Sequence, residues 1–195
     1  MDQQDLFRGA LVRLAARRPD DLEAFARWSN DATYRRLLDT DPARPLSIEQ
    51  IAAGPDGGDG GTHDVNFRLR TLVDDTLIGF VALFRIEWQH GVATLAIGIG
   101  EPAYRGRGYG SDALRLILNY AFNELNLYRV GLDVIAYNTR AIRAYERAGF
   151  RREGTLRASV LRDGTRYDRI MMGVLREEWQ ALRETGLRRA EVAHV

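Results

Sequence analysis

The sequence predicts an α/β protein built on a mixed, mostly antiparallel sheet, and three patterns predict it. Residues 64–100 read as three consecutive strands, "VNFRLRTLV", "LIGFVALFRI" and "VATLAIGIG", with turns at 74–76 and 89–91. The third strand leads through a helix into "YRVGLDVIAY", a β-α-β unit whose two strands should be parallel with a right-handed crossover. The stretch "TLRASVLRDGTRYDRIMMGVL" then reads as a hairpin turning at Asp163 and Gly164.

The other elements follow from local chemistry. "LVRLA" (11–15) alternates as a short strand. "RRPDDLEAFARWSNDATYRRLLD" gives two short helices, the first opened by Pro19 and acidic residues. "SIEQ" has capping-box spacing for a third. "GPDGGDGG" (54–61) is too polar and flexible to hold structure and is expected as a mobile loop. The helix of the β-α-β unit is expected over 111–126, with Leu114, Ile117, Leu118, Ala121 and Leu125 along one face. A second helix, 139–148, should end at Gly149 with Phe150 behind it.

Composition bounds the function. A chain of 195 residues suits one domain, with a core over about 10–180 and a polar, frayed tail over 184–195. The 28 basic and 27 acidic residues leave a charge of +1, so no global field draws the chain to nucleic acid or a membrane. All the basic residues are Arg; without Lys, a Schiff base and a Walker-type phosphate loop are excluded. Without Cys, so are a thiol nucleophile and the usual structural zinc sites. His63, His90 and His194 make no metal-ligand spacing, and no metal is expected. The opening "MDQQDLFRGA" has acidic residues and no apolar run, and no segment approaches the ~18 apolar residues of a membrane span. A cytoplasmic protein is expected.

The chemistry concentrates in "EPAYRGRGYGSDALRLILNYAF" (101–122). Three alternating glycines, Gly106, Gly108 and Gly110, with Arg105 and Arg107, stand at the start of an apolar helix. Helix N-termini expose unpaired N–H groups and a partial positive charge, which favour a phosphate. The glycines let the backbone approach a pyrophosphate closely, and Tyr109 and Ser111 share the loop. A glycine-rich turn with solvated arginines is the plain alternative. Gly108 to Ala113 also satisfies G-x-G-x-x-A, with Asp133 near the place of a ribose-binding acid. That fingerprint needs a strand running directly into its first glycine, and here "EPAYRGR" intervenes.

The same stretch reads R-x-x-G-x-G over Arg105, Gly108 and Gly110, and "NTRAIRAYERAGF" follows at 138–150. Together, at this spacing, they resemble the two signatures of the GNAT superfamily of acetyl-CoA-dependent N-acetyltransferases. The closing segment is similar to the branch of ribosomal-protein N-terminal and spermidine acetyltransferases. The resemblance implies two central parallel strands that splay apart, with acetyl-CoA lying in the gap. It also implies acetyl transfer to a primary amine: a protein amino terminus, a polyamine or a small amine such as an antibiotic.

Its site residues carry over one by one. Backbone N–H groups around Ile97, Gly98 and Ile99 would polarise the thioester, if the strand breaks its ladder there; Gly98 eases such a break. Asn138 is a helix N-cap, and its family counterpart contacts the coenzyme, as would Arg140. Tyr145 shares a helical face with Ala141, Ile142 and Ala148; by resemblance it is the general acid, and otherwise a core tyrosine. The base is sought in Glu87 or Glu101, either of which is otherwise a surface carboxylate. No covalent intermediate is expected, because Cys and Lys are absent and Ser111 lacks the G-x-S-x-G setting. The acceptor pocket is expected around Trp28 to Tyr34, the 54–61 loop and the last hairpin, whose apolar face would suit a homodimer. The alternative reading is a non-catalytic acyl-CoA sensor or scaffold on the same fold.

Overall fold

Among the described residues seven strands form one sheet. The structure, a computed structural model, describes residues 5–54 and 62–192, with side chains described as far as 185. The strands are β1 (Val12–Ala15), β2 (Val65–Thr71), β3 (Leu77–Glu87), β4 (Val92–Ile99), β5 (Arg129–Ile135), β6 (Arg151–Arg162) and β7 (Thr165–Leu175). Their order in the sheet is β1-β2-β3-β4-β5-β7-β6. All neighbours are antiparallel except β4 and β5. The helices are α1 (Asp21–Ser29), α2 (Ala32–Leu38), α3 (Ile48–Ala53), α4 (Tyr109–Asn119), α5 (Thr139–Arg147) and α6 (Arg176–Val192).

The sheet is covered on both faces. Successive strand residues point to opposite sides. Phe80 packs with Phe25, Trp28, Tyr34 and Ile51 of α1–α3, while its neighbour Val81 packs with the larger core that holds α4, Ile142 of α5 and Trp179 of α6. The meander, the capping box at Ser47 and Gln50, and the Asp163–Gly164 turn all form as the sequence predicts. Both turn residues have positive φ, 49° and 76°, as a two-residue hairpin of this twist requires. Residues 55–61, most of the expected mobile loop, lie outside the described residues.

Two helices depart from expectation. α4 begins two residues early, at Tyr109, capped by Gly108 at φ +89°. It ends at Asn119 in a widened turn over Tyr120–Glu124, where the Leu125 N–H donates to the Tyr120 carbonyl at 3.0 Å. In that turn Phe122 is buried with its ring 5.2 Å from Trp179. Trp179 also accounts for α6, which runs as helix to Val192 through the expected frayed tail. One aromatic anchor is too sparse a pattern to read as a helical face. Its start is fixed by Arg176, whose Nε donates to the Leu127 carbonyl at 2.8 Å.

The decisive feature is the parallel pair. β4 and β5 stay in register over three pairs only, Val92–Arg129, Ala93–Val130 and Thr94–Gly131. β3 holds β4 through Ile99, and β7 holds β5 through Ile135. The strands therefore part beyond Thr94, and the sheet opens into a fork at their carboxyl ends.

Asp112 anchors α4 at the mouth of this fork. Its Oδ2 accepts the N–H groups of Leu11 (2.8 Å) and Val12 (3.1 Å), tying the helix to the start of β1. Burial opposes the charge, but these N–H groups and Arg115 outweigh it and hold the carboxyl below its ordinary range. Asp112→Ala strands those donors and is expected to cost about 1–3 kcal/mol in urea unfolding. Because the folded-state pKa is depressed, this contribution is complete above about pH 4 and disappears as pH falls through the folded value. The variant and parent curves should therefore converge in acid.

Candidate active site

The fork holds a cavity of about 630 Å³, lined along one wall by Leu95 to Ile99 of β4 and along the other by Asp133, Val134 and Ile135 of β5. Its floor is α5, with Ala141, Ala144 and Tyr145, and one end reaches the glycine loop at Gly106, Gly108 and Gly110. α2 and the residues after it form the roof. Tyr137 donates its hydroxyl proton to the Arg36 carbonyl (2.6 Å), and Asn138 Nδ2 donates to the Leu37 carbonyl (3.2 Å). Arg162 Nη2, near the tip of the β6–β7 hairpin, donates to the carbonyls of Asp39, Thr40 and Asp41 at 2.9–3.1 Å. Of the expected acceptor pocket, Tyr34 lines the cavity, while Trp28 is buried in the α1–α3 core.

The glycine loop is open backbone. Gly106 (φ +75°) and Gly108 (φ +89°) adopt the left-handed conformation, and a Cβ on Gly106 would meet nothing within 4 Å. Behind them stand the first-turn N–H groups of α4, those of Tyr109, Gly110 and Ser111, which have no intrahelical partner. Tyr109 contributes backbone only: its ring stacks edge-on against Tyr104 at 5.1 Å, outside the cavity lining.

Both loop arginines are engaged with protein groups, and of the two Arg105 lines the cavity. Arg105 turns back to clamp the end of β4: Nε donates to the Ile99 carbonyl (3.0 Å), Nη2 to the Gly100 carbonyl, and Nη1 to Asp31 (2.9 Å). Asp31 is the N-cap of α2, accepting the Tyr34 N–H at 2.9 Å. That N–H first, and Arg105 after it, hold the Asp31 carboxyl below its ordinary range against a burial penalty. Arg107 lies outside the cavity and donates to the Ala103 carbonyl at 3.2 Å. α5 brings further positive charge to the cavity. Arg140, Arg143 and Arg147 all line the cavity, and none has an acidic partner among the described residues. Sequence reasoning named only Arg140; the i, i+3, i+7 spacing was the signal for the other two.

Ile97, Gly98 and Ile99 do face the gap, but not through a broken ladder. Their pairing with β3 is continuous, and the register shift falls between Phe84 and Glu87. The Gly100 N–H donates to Ile78 of β3 at 2.9 Å, so by alternation the Ile97 and Ile99 N–H groups point away from β3, toward the parted β5. Divergence of the neighbouring strand frees them. Gly98 serves close approach instead: a Cβ there would meet the Tyr34 hydroxyl at 2.5 Å.

Tyr145 packs its ring against Phe150 (5.8 Å) and the core, while its hydroxyl lies in the cavity with no hydrogen bond among the described residues. Burial first, then the Asp133 charge, push the phenol up to about 12. Asn138 caps α5, accepting the Ala141 N–H at 3.2 Å, at the cavity edge. Neither candidate base is in place. Glu87 pairs with Val92, at the opposite end of β4 from the fork. Glu101 accepts from Arg27 (2.7 Å) and Trp28 Nε1 (3.2 Å) and does not line the cavity. Glu87 borders the 89–91 turn, which antiparallel pairing sets at the amino end of β4, away from the glycine loop.

Residues 12–151 match a family model described as an acetyltransferase (GNAT) domain. The chain belongs to the GNAT family. It is 30% identical over 176 residues to the spermidine N(1)-acetyltransferase of Escherichia coli K12, covering 89% of this chain and 91% of that protein. It is 36% identical over 114 residues to the probable N-acetyltransferase YjcK of Bacillus subtilis. The match spans only about three fifths of YjcK and of the B. subtilis YokL protein, 62% and 60% of their lengths. Among solved structures, a putative acetyltransferase superimposes with a TM-score of 0.74 at 30% identity over 91% of this chain and 90% of its own. The spermidine N-acetyltransferase of Vibrio cholerae in complex with CoA and spermine shares the fold, with a TM-score of 0.78 at 24% identity over 87% of this chain and 98% of its own. Among the described residues of this GNAT chain, no helix is long and apolar enough to cross a membrane, and no cluster of His, Asp or Glu suits a metal ion.

Arg105 closes the sheet end of the site, and its removal should be felt in stability. Arg105→Ala leaves two carbonyls and the Asp31 carboxylate without their donor, an expected loss of about 1–3 kcal/mol in chemical denaturation. Arg105→Lys should recover little, because an ammonium cannot span three acceptors as the guanidinium fork does.

Proposed function

We propose that this chain transfers an acetyl group directly from acetyl-CoA to a primary amine. The observation that carries the reading is the Tyr145 hydroxyl, unpartnered among the described residues and held in the cavity where β4 and β5 part. The glycine loop and the first-turn N–H groups of α4 suit a pyrophosphate, and the three arginines of α5 add the charge that a phosphate-bearing ligand requires. A pantetheine arm fits the gap between the strands, with its amide groups beside backbone that no strand partner occupies.

The chemistry follows from these positions. The Ile97 N–H, pointing into the gap, donates to the thioester oxygen as negative charge develops there. The neutral amine attacks the carbonyl carbon; a C–N bond forms, the C–S bond breaks, and the electron pair leaves on sulfur. Tyr145 holds its proton through the neutral range and gives it to the departing thiolate. The phenolate regains a proton from the nitrogen that has become an amide. The acceptor enters under α2, where Tyr34, Leu37 and Leu38 line the cavity. Polyamines belong in the first acceptor panel, since the E. coli relative is named for spermidine, together with peptides bearing a free amino terminus.

Two measurements test the reading. Acetyl-CoA should raise the melting temperature where NAD does not. Gly110→Val should abolish that shift while sparing the apo fold. Gly110 needs no positive φ, and a Cβ there meets only Ile99 Cγ1, at 3.8 Å, whereas any side chain at Gly108 would strain the backbone. Tyr145→Phe should keep the acetyl-CoA shift and lower kcat by about 10²–10⁴-fold, the usual worth of a general acid, with little change in KM. Full turnover by that variant would place the acid elsewhere.

A further inference from the structure

Direct transfer needs a group to take the first proton from an ammonium, and neither glutamate named from the sequence reaches the cavity. Among the described residues the carboxylates that line it are Asp39 and Asp133. Asp39 is spent on its own chain: its Oδ1 accepts the N–H groups of Thr40 (2.6 Å) and Asp41 (3.2 Å). Asp133 is not. Its one charged contact is Arg169 Nε at 3.5 Å, beyond hydrogen-bonding length, and that Nε is buried without a hydrogen-bond partner.

The register places Asp133 at the throat of the fork. Gly131 is the last residue of β5 paired with β4, opposite Thr94. Asp133 follows two residues on, where the strands have parted, and lines the cavity together with Ala96 and Ile97. Its neighbours Leu132 and Val134 are buried in the core on the α4 side, so Asp133 projects to the other face, the one that α1–α3 cover. Tyr145 belongs to the core side and reaches the same gap from there. The Ile97 N–H, Tyr145 and the Asp133 carboxylate, which Arg169 holds only loosely, thus border one cavity, with the carboxylate on the side that α2 covers.

We infer that Asp133 is the general base of the transfer, accepting a proton from the acceptor's ammonium before attack, with Arg169 as its positioning residue. The inference rests on the proposed acetyl transfer. The proton taken by the carboxylate passes to solvent, and the amine's second transferable proton replaces the one that Tyr145 gives to sulfur. The charged and titratable groups facing Asp133 are Arg169 from β7 and Tyr145 from α5; the α5 arginines and Asp39 share the cavity. The proximity of Asp133 and Tyr145 is also felt electrostatically, since the carboxylate helps to hold the phenol protonated.

The test compares the parent protein with Asp133→Asn and Asp133→Glu, following acetyl-CoA-dependent release of free CoA with spermidine and with a peptide bearing a free amino terminus. Asp133→Asn is expected to lose about 10²–10⁴-fold in kcat at pH 7. The deficit should shrink as pH rises toward the pKa of the acceptor amine, where free amine forms without help. Its KM for acetyl-CoA and its thermal shift with acetyl-CoA should match the parent, and Asp133→Glu should recover part of the rate. A parent that acetylates either acceptor while Asp133→Asn keeps its rate at pH 7 overturns the assignment and leaves the transfer reading intact. A loss equal at every pH makes Asp133 a structural partner of Arg169, which also overturns it. A parent that binds no acetyl-CoA, or binds it and acetylates neither acceptor, overturns the transfer reading and the base with it.

Discussion

The separation of β4 from β5 after three paired residues is the constraint on which the rest of the molecule depends. Each strand is held by its other neighbour, β3 or β7, for its full remaining length. Parting therefore exposes backbone donors and acceptors without unravelling the sheet. An exposed strand edge in a protein interior is costly unless its groups find partners. Here the Ile99 carbonyl is taken by Arg105. The Ile97 N–H is left facing a cavity, where a ligand carbonyl would complete it.

Around this fork the chain divides labour by face. On one side α4 presents bare N–H groups and α5 presents arginines. On the other, α2 closes over the gap, held by Tyr137 and Asn138 through bonds to its carbonyls and by Arg162 through bonds to those of the residues just after it. Asn138 joins the two sides: its Oδ1 caps α5 while its Nδ2 holds α2. The arrangement lets two ligands approach one point from opposite faces of the sheet, which is what direct transfer between them demands.

The arginines show how little charge reveals by itself. Without a lysine, this chain uses guanidinium groups both as structural clamps and as cavity-lining charge. Arg105, in the most conspicuous motif of the sequence, is a clamp with three partners. Arg143 and Arg147, in an unremarkable helix, face the cavity without an ion pair among the described residues. What separates the two roles is whether acceptors stand within reach of the fork.

The sequence by itself determined the strands and turns, the capping of α3 and α5, and the placement of a glycine loop between a strand and a helix. These rest on periodicity, backbone conformation and caps, which are local. It also determined the family, through two motifs whose spacing is one helix and one strand. Only the tertiary structure decided that Glu101 is held by Arg27 and Trp28. The same holds for Asp133, which the sequence placed only near the position of a ribose-binding acid. It stands at the throat of the cavity because β5 leaves β4 two residues before it. Where strands separate is set by the neighbours that hold each of them, and those neighbours are distant in the chain.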